Sequence, residues 1–135
     1  MLAIFILYYN YEYFEHTLVS LSKQTDKRFT VYVGNDCSPN TPESLINKYK
    51  TSLNLHYTAF NSNFGKNSLV SQWERCIELT KDESWLMLLG DDDVLDENFV
   101  EAFYSKIEDI EKVGSTVVRY ASQYIGVNGE PLENF

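Results

Sequence analysis

The feature that most constrains this chain is a recurring order. A short, wholly apolar run closes on a polar loop, and a stretch with helical spacing separates it from the next such run. Ala3 to Tyr9 is apolar and stops at Asn10, the pattern of a strand covered on both faces. Phe14, Leu18 and Leu21 then recur at helical spacing and predict a helix over about 12–24. Phe29 to Val33 is β-branched and aromatic, a second strand, and runs into Gly34-Asn35-Asp36-Cys37-Ser38-Pro39. Thr41-Pro42-Glu43 reads as an N-cap, a first-turn proline and a first-turn acid, opening a helix to about Lys50. A third strand is expected near 53–58, a loop over Asn61–Asn67, and a helix over about 68–80 with Val70, Trp73 and Ile77 on one face. Trp85 to Leu89 is expected as a fourth buried strand, followed by a helix carrying Phe99, Ala102, Phe103, Ile107 and Ile110. Thr116 to Ile125 is expected as a fifth strand, and Asn128-Gly129 as a turn.

Strand and helix thus alternate without a repeat or a linker, which predicts a single α/β domain over residues 1–135. The expected architecture is a Rossmann-like three-layer sandwich around a mainly parallel central sheet. Such sheets bind ligands beyond the carboxyl ends of their strands. The loops at Tyr8–Asn10, Asn35–Ser38, Asn61–Lys66 and Gly90–Asp93 all fall at such ends, so they are expected on one rim.

On that rim Asp91-Asp92-Asp93 is the sharpest feature. Adjacent carboxylates repel unless a cation sits among them, and hard oxygen ligands suit Mg²⁺ or Mn²⁺. A solvated acidic turn, with Asp93 or Asp96 capping the next helix, explains the triplet equally well when it is read alone. Asp36 can accept the N–H of a nucleobase or form an Asx-turn ahead of Pro39. Asn10 ends a strand or touches a ligand; Lys66 meets a phosphate or is merely exposed. Trp73, His16 and His56 read as structural residues, since neither histidine has a partner at metal or triad spacing. No G-x-S-x-G elbow, Walker lysine or Ser/His/Asp set is present.

The net charge of −9, with no Lys/Arg run, excludes a nucleic-acid backbone as partner. It also means that an anionic ligand would need a bridging cation or local amides. Cys37 and Cys76 form no C-x-x-C and are expected as free thiols in a reducing compartment. The opening Met1–Leu7 lacks a basic flank and is too short to span a membrane. A cytoplasmic protein, at the inner face of the membrane if membrane-associated, is therefore the expectation.

In combination these segments resemble the inverting family 2 glycosyltransferases of the GT-A fold, across essentially the whole chain. Leu7-Tyr8-Tyr9-Asn10 stands where that family has a Pro-Thr-Tyr-Asn-like strand end, and Ser20-Leu21-Ser22-Lys23-Gln24-Thr25 matches its Ser-Leu-x-x-Gln-Thr pattern. Val33-Gly34-Asn35-Asp36-Cys37-Ser38 stands for its Val-Asp-Asp-Gly-Ser loop, Asn63-Phe64-Gly65 for its Asn-x-Gly loop, and Leu89-Gly90-Asp91-Asp92-Asp93 for its metal-binding Asp-x-Asp region. Trp73-Glu74-Arg75 also looks like members that transfer sugars in bacterial surface-polysaccharide assembly.

The resemblance implies a nucleoside-diphosphate-sugar donor, commonly UDP-linked, and a glycan or lipid-linked acceptor hydroxyl. Tyr8 and Asn10 would line the base pocket, Asp36 would hydrogen-bond the base, and Asp91 would approach the ribose or diphosphate. Asn63, Gly65 and Lys66 would border the donor, with Lys66 on its phosphates; Asp92, supported by Asp93, would ligate Mn²⁺ or Mg²⁺. Three positions depart from the pattern: Leu7 replaces the proline, Asn35 the first acid of the paired loop, and Gly90 the first acid of Asp-x-Asp. They leave the metal-ligand register within 91–93 open. No segment matches the family's downstream general base, so donor binding with poor turnover is one expectation. A non-catalytic nucleotide-sugar-binding or assembly module is the alternative reading. Exposed sheet edges, and with them a homodimer, would follow from a missing acceptor half. An α/β receiver domain phosphorylated on its acidic cluster is a further, weaker reading.

Overall fold

The computed structural model describes residues 1–133. The chain divides into two compact units, Met1–Tyr104 and Ser105–Phe135. In the first unit strands and helices alternate: β1 (Leu2–Tyr8), α1 (Phe14–Ser22), β2 (Phe29–Asn35), α2 (Glu43–Tyr49), β3 (Leu55–Ala59), α3 (Leu69–Ile77) and β4 (Trp85–Gly90). Helix α4 (Phe99–Lys112) follows.

The four strands form one sheet in the order β3-β2-β1-β4, every pairing parallel. The central strands explain the apolar runs. All of β2 is buried and β1 nearly so, because helices cover both faces of a parallel sheet. One face carries Ala3, Phe5 and Tyr32, packed with Cys76 of α3 and flanked by Leu7, Phe60 and Leu79. On the other face Tyr8 packs against Phe14 of α1 at 4.7 Å between ring centroids, and Trp85 meets Phe103 of α4 edge-on at 5.8 Å. Helix α2 lies beside α1, tied through Lys48 and Tyr49 to Glu15. The chain thus winds β1-α1-β2-α2-β3 in one direction. It then returns through α3, on the opposite face, to place β4 on the far side of β1.

The close fit of α3 to the sheet depends on Gly34. A Cβ there would lie 2.5 Å from the Cys76 sulfur and 3.2 Å from the Phe60 ring, far inside contact distance. The α1 and β4 sides are stitched by buried amide chemistry: Gln24 donates to the Asp96 carbonyl and accepts from the Val100 N–H. Helix α2 starts one residue later than the sequence suggests. Pro42 takes the cap position without a side-chain cap bond, and the Thr41 hydroxyl instead hydrogen-bonds the Glu43 carboxylate. Ser68 caps α3 by accepting from the Ser71 N–H. The expected burial of the fourth strand is not found: β4 lies at the edge of the sheet, and its Leu86 and Leu88 are exposed.

In the second unit the expected fifth strand is absent. Residues 116–124 have no regular structure, and Ile125 forms only an isolated antiparallel bridge with Pro131. The segment has the composition of a strand, yet composition supplies no pairing partner, and Val117 and Tyr124 stand exposed. The turn is as expected: Gly129, at φ 80°, donates to the Gly126 carbonyl.

Candidate functional site

The strand order reverses between β1 and β4, since β1 leads by way of α1 to β2 on one side and β4 arrives on the other. This is where an open parallel sheet leaves a crevice at its carboxyl end. Two loops border it, Tyr9–Asn10 after β1 and Asp91–Asp93 after β4. A pocket of about 370 Å³ opens beside it, lined by Leu7, Tyr8, Tyr9, Asp36, Asn63, Gly65, Lys66, Leu69 and Gln72, a volume in the range of small-molecule sites.

Asp36 is the polar centre of this pocket. It is buried, and its carboxylate accepts from the Phe64 N–H at 2.7 Å and the Gly65 N–H at 2.8 Å. Arg75 of α3 completes an ion pair at 2.5 Å, with both side chains largely shielded. Gly65 is needed here for space, because a Cβ would sit 2.6 Å from the Asp36 oxygen. The Asn63 side chain accepts from the Lys66 N–H at 2.8 Å, closing a tight turn that places Lys66 on the pocket wall.

The aspartate triplet separates into different roles. Asp91 is buried, and its Oδ2 accepts from the Tyr9 and Asn10 N–H groups at 2.7 and 2.6 Å. Its carbonyl accepts from the Thr17 hydroxyl. Burial pushes the Asp91 carboxyl above its ordinary value, against the lowering effect of those two N–H donors. Asp91 therefore joins the end of β4 to the end of β1. Asp92 and Asp93 are exposed. Asp92 Oδ1 and Asp93 Oδ2 both lie beside Gly90, 3.0 and 2.8 Å from where its Cβ would stand, and Asp93 Oδ2 accepts the Gly90 N–H at 2.9 Å.

Among the described residues no cluster of three or more His, Cys, Asp or Glu side chains is arranged to enclose a metal ion. Two neighbouring exposed carboxylates are, however, the kind of donor set with which a protein holds Mg²⁺ or Mn²⁺ when phosphate and water complete the shell.

The sequence-predicted residues thus fall into groups. Asp36, Asn63, Gly65 and Lys66 meet in the pocket. Tyr8 borders it, but its ring is buried on Phe14 and its hydroxyl donates to the Asn40 carbonyl; burial pushes that phenol up to about 12. Asn10 lies on the exposed loop tied to Asp91, outside the pocket lining. His16 and His56 are exposed and stack on Tyr13 and Tyr32. Trp73 is half-buried. Both cysteines are free, Cys37 exposed and Cys76 buried. The sequence does not reveal that Arg75 pairs with Asp36, nor that Phe60, Phe64 and Gln72 hold Arg75 in place. Arg75 stands in the Trp73-Glu74-Arg75 segment singled out by resemblance, but nothing in that segment names Asp36 as its partner.

A doubly wound parallel sheet with an acidic loop at its switch point and an Asp/Asn-x-Gly pocket beside it defines a GT-A-type domain. Residues 3–135 match the family model for glycosyl transferase family 2, and the chain belongs to that family. The fold is shared with solved structures of TarS from S. aureus. TarS 1–349 in complex with UDP-GlcNAc superposes with a TM-score of 0.73 at 21% identity, covering 82% of this chain and 32% of that one. TarS 1–349 in complex with UDP gives 0.73 at 23% identity with the same coverage. A further TarS structure gives 0.73 at 22% identity, covering 82% of this chain and 20% of that one. This chain thus spans about a third or less of those chains' length. No curated protein matches it.

Proposed function

We propose that this chain is the donor-binding part of a glycosyltransferase that transfers a sugar, with inversion, from a UDP-linked donor to a hydroxyl of a glycan or lipid-linked acceptor. The observation that carries the reading is the pairing of two acidic features at one crevice. A buried, preorganised Asp36 lines the pocket beside β1, and the exposed Asp92 and Asp93 stand at the end of β4. An acceptor-only carboxylate is suited to a base N–H. Paired carboxylates with a divalent ion are suited to a diphosphate in a protein whose net charge is −9. Complexes of TarS with UDP and UDP-GlcNAc are consistent with a donor of this class.

In this reading Asp36 orients the base, and Asp91 fixes the Tyr9–Asn10 backbone so that the two halves of the site hold one geometry. Lys66 approaches the phosphates from the pocket wall. Asp92 and Asp93 would hold Mn²⁺ or Mg²⁺, which when bound neutralises charge developing on the departing nucleoside diphosphate. A cytoplasmic setting, peripheral contact with a membrane through the acceptor, and pairing of copies along the β4 edge belong to the same proposal. Calorimetric titration with UDP, with and without Mn²⁺, tests it. Expected is binding that needs the ion and is lost in Asp92→Ala; no binding under either condition rejects it. Donor-hydrolysis assays then distinguish an active enzyme from a binding module.

A further inference from the structure

The most elaborately built side chain near the pocket is one with no role in the reading above. The Arg75 guanidinium is stacked between two rings, its central carbon 3.8 Å from the Phe60 centroid and 4.0 Å from the Phe64 centroid. Its Nε donates to Gln72 Oε1, and one terminal nitrogen donates to both Asp36 Oδ1 and the Ser62 carbonyl. Its side chain is only 14% exposed. A guanidinium engaged on both faces and along its edge is fixed in place. The one nitrogen it presents to Asp36 Oδ1 then fixes where that oxygen can be.

We propose that Arg75, bracketed by Phe60 and Phe64, is a positioning residue for Asp36 and thereby sets which nucleobase the pocket accepts. The inference rests on the donor-binding reading. An ionised carboxylate offers about four acceptor positions. On Asp36, Oδ1 takes the Phe64 N–H and the Arg75 donor, and Oδ2 takes the Gly65 N–H. One position remains, on Oδ2. A carboxylate held this way welcomes one ring N–H, as on the imide of a uracil-type base. It repels a base that presents a ring nitrogen lone pair there, as cytosine does. Without Arg75, Asp36 keeps only the Phe64 and Gly65 N–H donors, its orientation is less tightly fixed and its discrimination falls. Asp36 touches the base in this account; Arg75 acts through it.

UDP and CDP carry the same diphosphate and differ only in the base, so their affinity ratio isolates the effect. In calorimetric titrations with Mn²⁺ the wild type is expected to prefer UDP. Arg75→Met, which keeps the stem between the rings, is expected to weaken UDP about tenfold, the worth of one charge-assisted hydrogen bond, and to leave CDP nearly unchanged. Arg75→Lys, which retains charge without the fork, is expected to narrow the ratio as well. Equal weakening of both ligands would assign Arg75 to the phosphates and overturn the proposal, as would an unchanged UDP/CDP ratio. If Arg75→Met does not fold, Phe64→Leu, which removes one bracketing ring, decides: an unchanged ratio overturns the proposal and a narrowed one supports it. A wild type that binds neither nucleotide rejects the donor-binding reading and this inference together. A wild type that prefers UDP beside variants that do so equally rejects this inference alone.

Discussion

Replacing Gly65 by alanine sets two effects of opposite sign against each other. Gly65 does not need a left-handed backbone, so alanine should stabilise by restricting the unfolded chain, about 0.4–1 kcal/mol. Against this, the new Cβ would lie 2.6 Å from Asp36 Oδ2. Asp36 cannot retreat, because Arg75 and the Phe64 N–H hold its other oxygen. The loop must give instead, which breaks the 2.8 Å Gly65 N–H bond to Asp36. A hydrogen bond to a charged acceptor is worth about 1.5–3 kcal/mol, so the clash wins by about 1–2 kcal/mol. That corresponds to a fall in melting temperature of roughly 3–8 °C for a domain of this size. The same displacement moves the pocket wall, so UDP affinity should fall with it. Thermal unfolding by circular dichroism and UDP titration on the same sample check both. A Gly65→Ala variant that melts at or above the wild type and binds UDP unchanged would refute the argument that Gly65 is there for space.

Phe14 is fully buried against Tyr8, and Phe14→Ala should cost about 3–5 kcal/mol through the cavity it leaves, measured by denaturant unfolding. Thiol labelling of the native chain near pH 8 should modify Cys37 quickly and Cys76 only after unfolding, because burial pushes the Cys76 thiol up to about 11. That value lies above the ordinary 9.0, so the native state favours the protonated thiol. Its contribution is intact below pH 9 and is lost as pH rises through about 11; Cys76→Ala should remove that part of the alkaline loss. Gly90→Ala would place a Cβ 2.8 Å from the Asp93 carboxylate and 3.0 Å from that of Asp92, and should weaken Mn²⁺-dependent UDP binding severalfold by driving the pair apart.

The alternation of apolar runs and helical spacing is enough to read β1 to β4 and α1 to α4; burial on both faces writes itself directly into the composition of β1 and β2, whereas β3 and β4 are partly exposed and show only as shorter alternating or apolar runs. Thr116–Ile125 shows the limit of that signal. Its residues suit a strand, but a strand exists only where another offers its backbone, and no local pattern reports that. The candidate pocket was legible as a rim of loops and as the grouping of Asp36, Asn63, Gly65 and Lys66 along it. The division of labour within Asp91-Asp92-Asp93 was not, since three identical side chains carry no mark of which one turns inward to the Tyr9 and Asn10 amides. The grip of Arg75 on Asp36 was equally hidden. It spans 39 residues and depends on α3 crossing to the opposite face of the sheet.

The proposed donor site puts a nucleoside diphosphate between the Asp36 pocket and the loop after β4. Amide chemical-shift mapping of the isotopically labelled chain with UDP and Mg²⁺ reads it residue by residue. The largest changes are expected at Tyr9, Asp36, Phe64, Gly65, Lys66 and Asp92, with the amides of α2 little affected. Shifts confined to another surface, or none at saturating UDP, would contradict it.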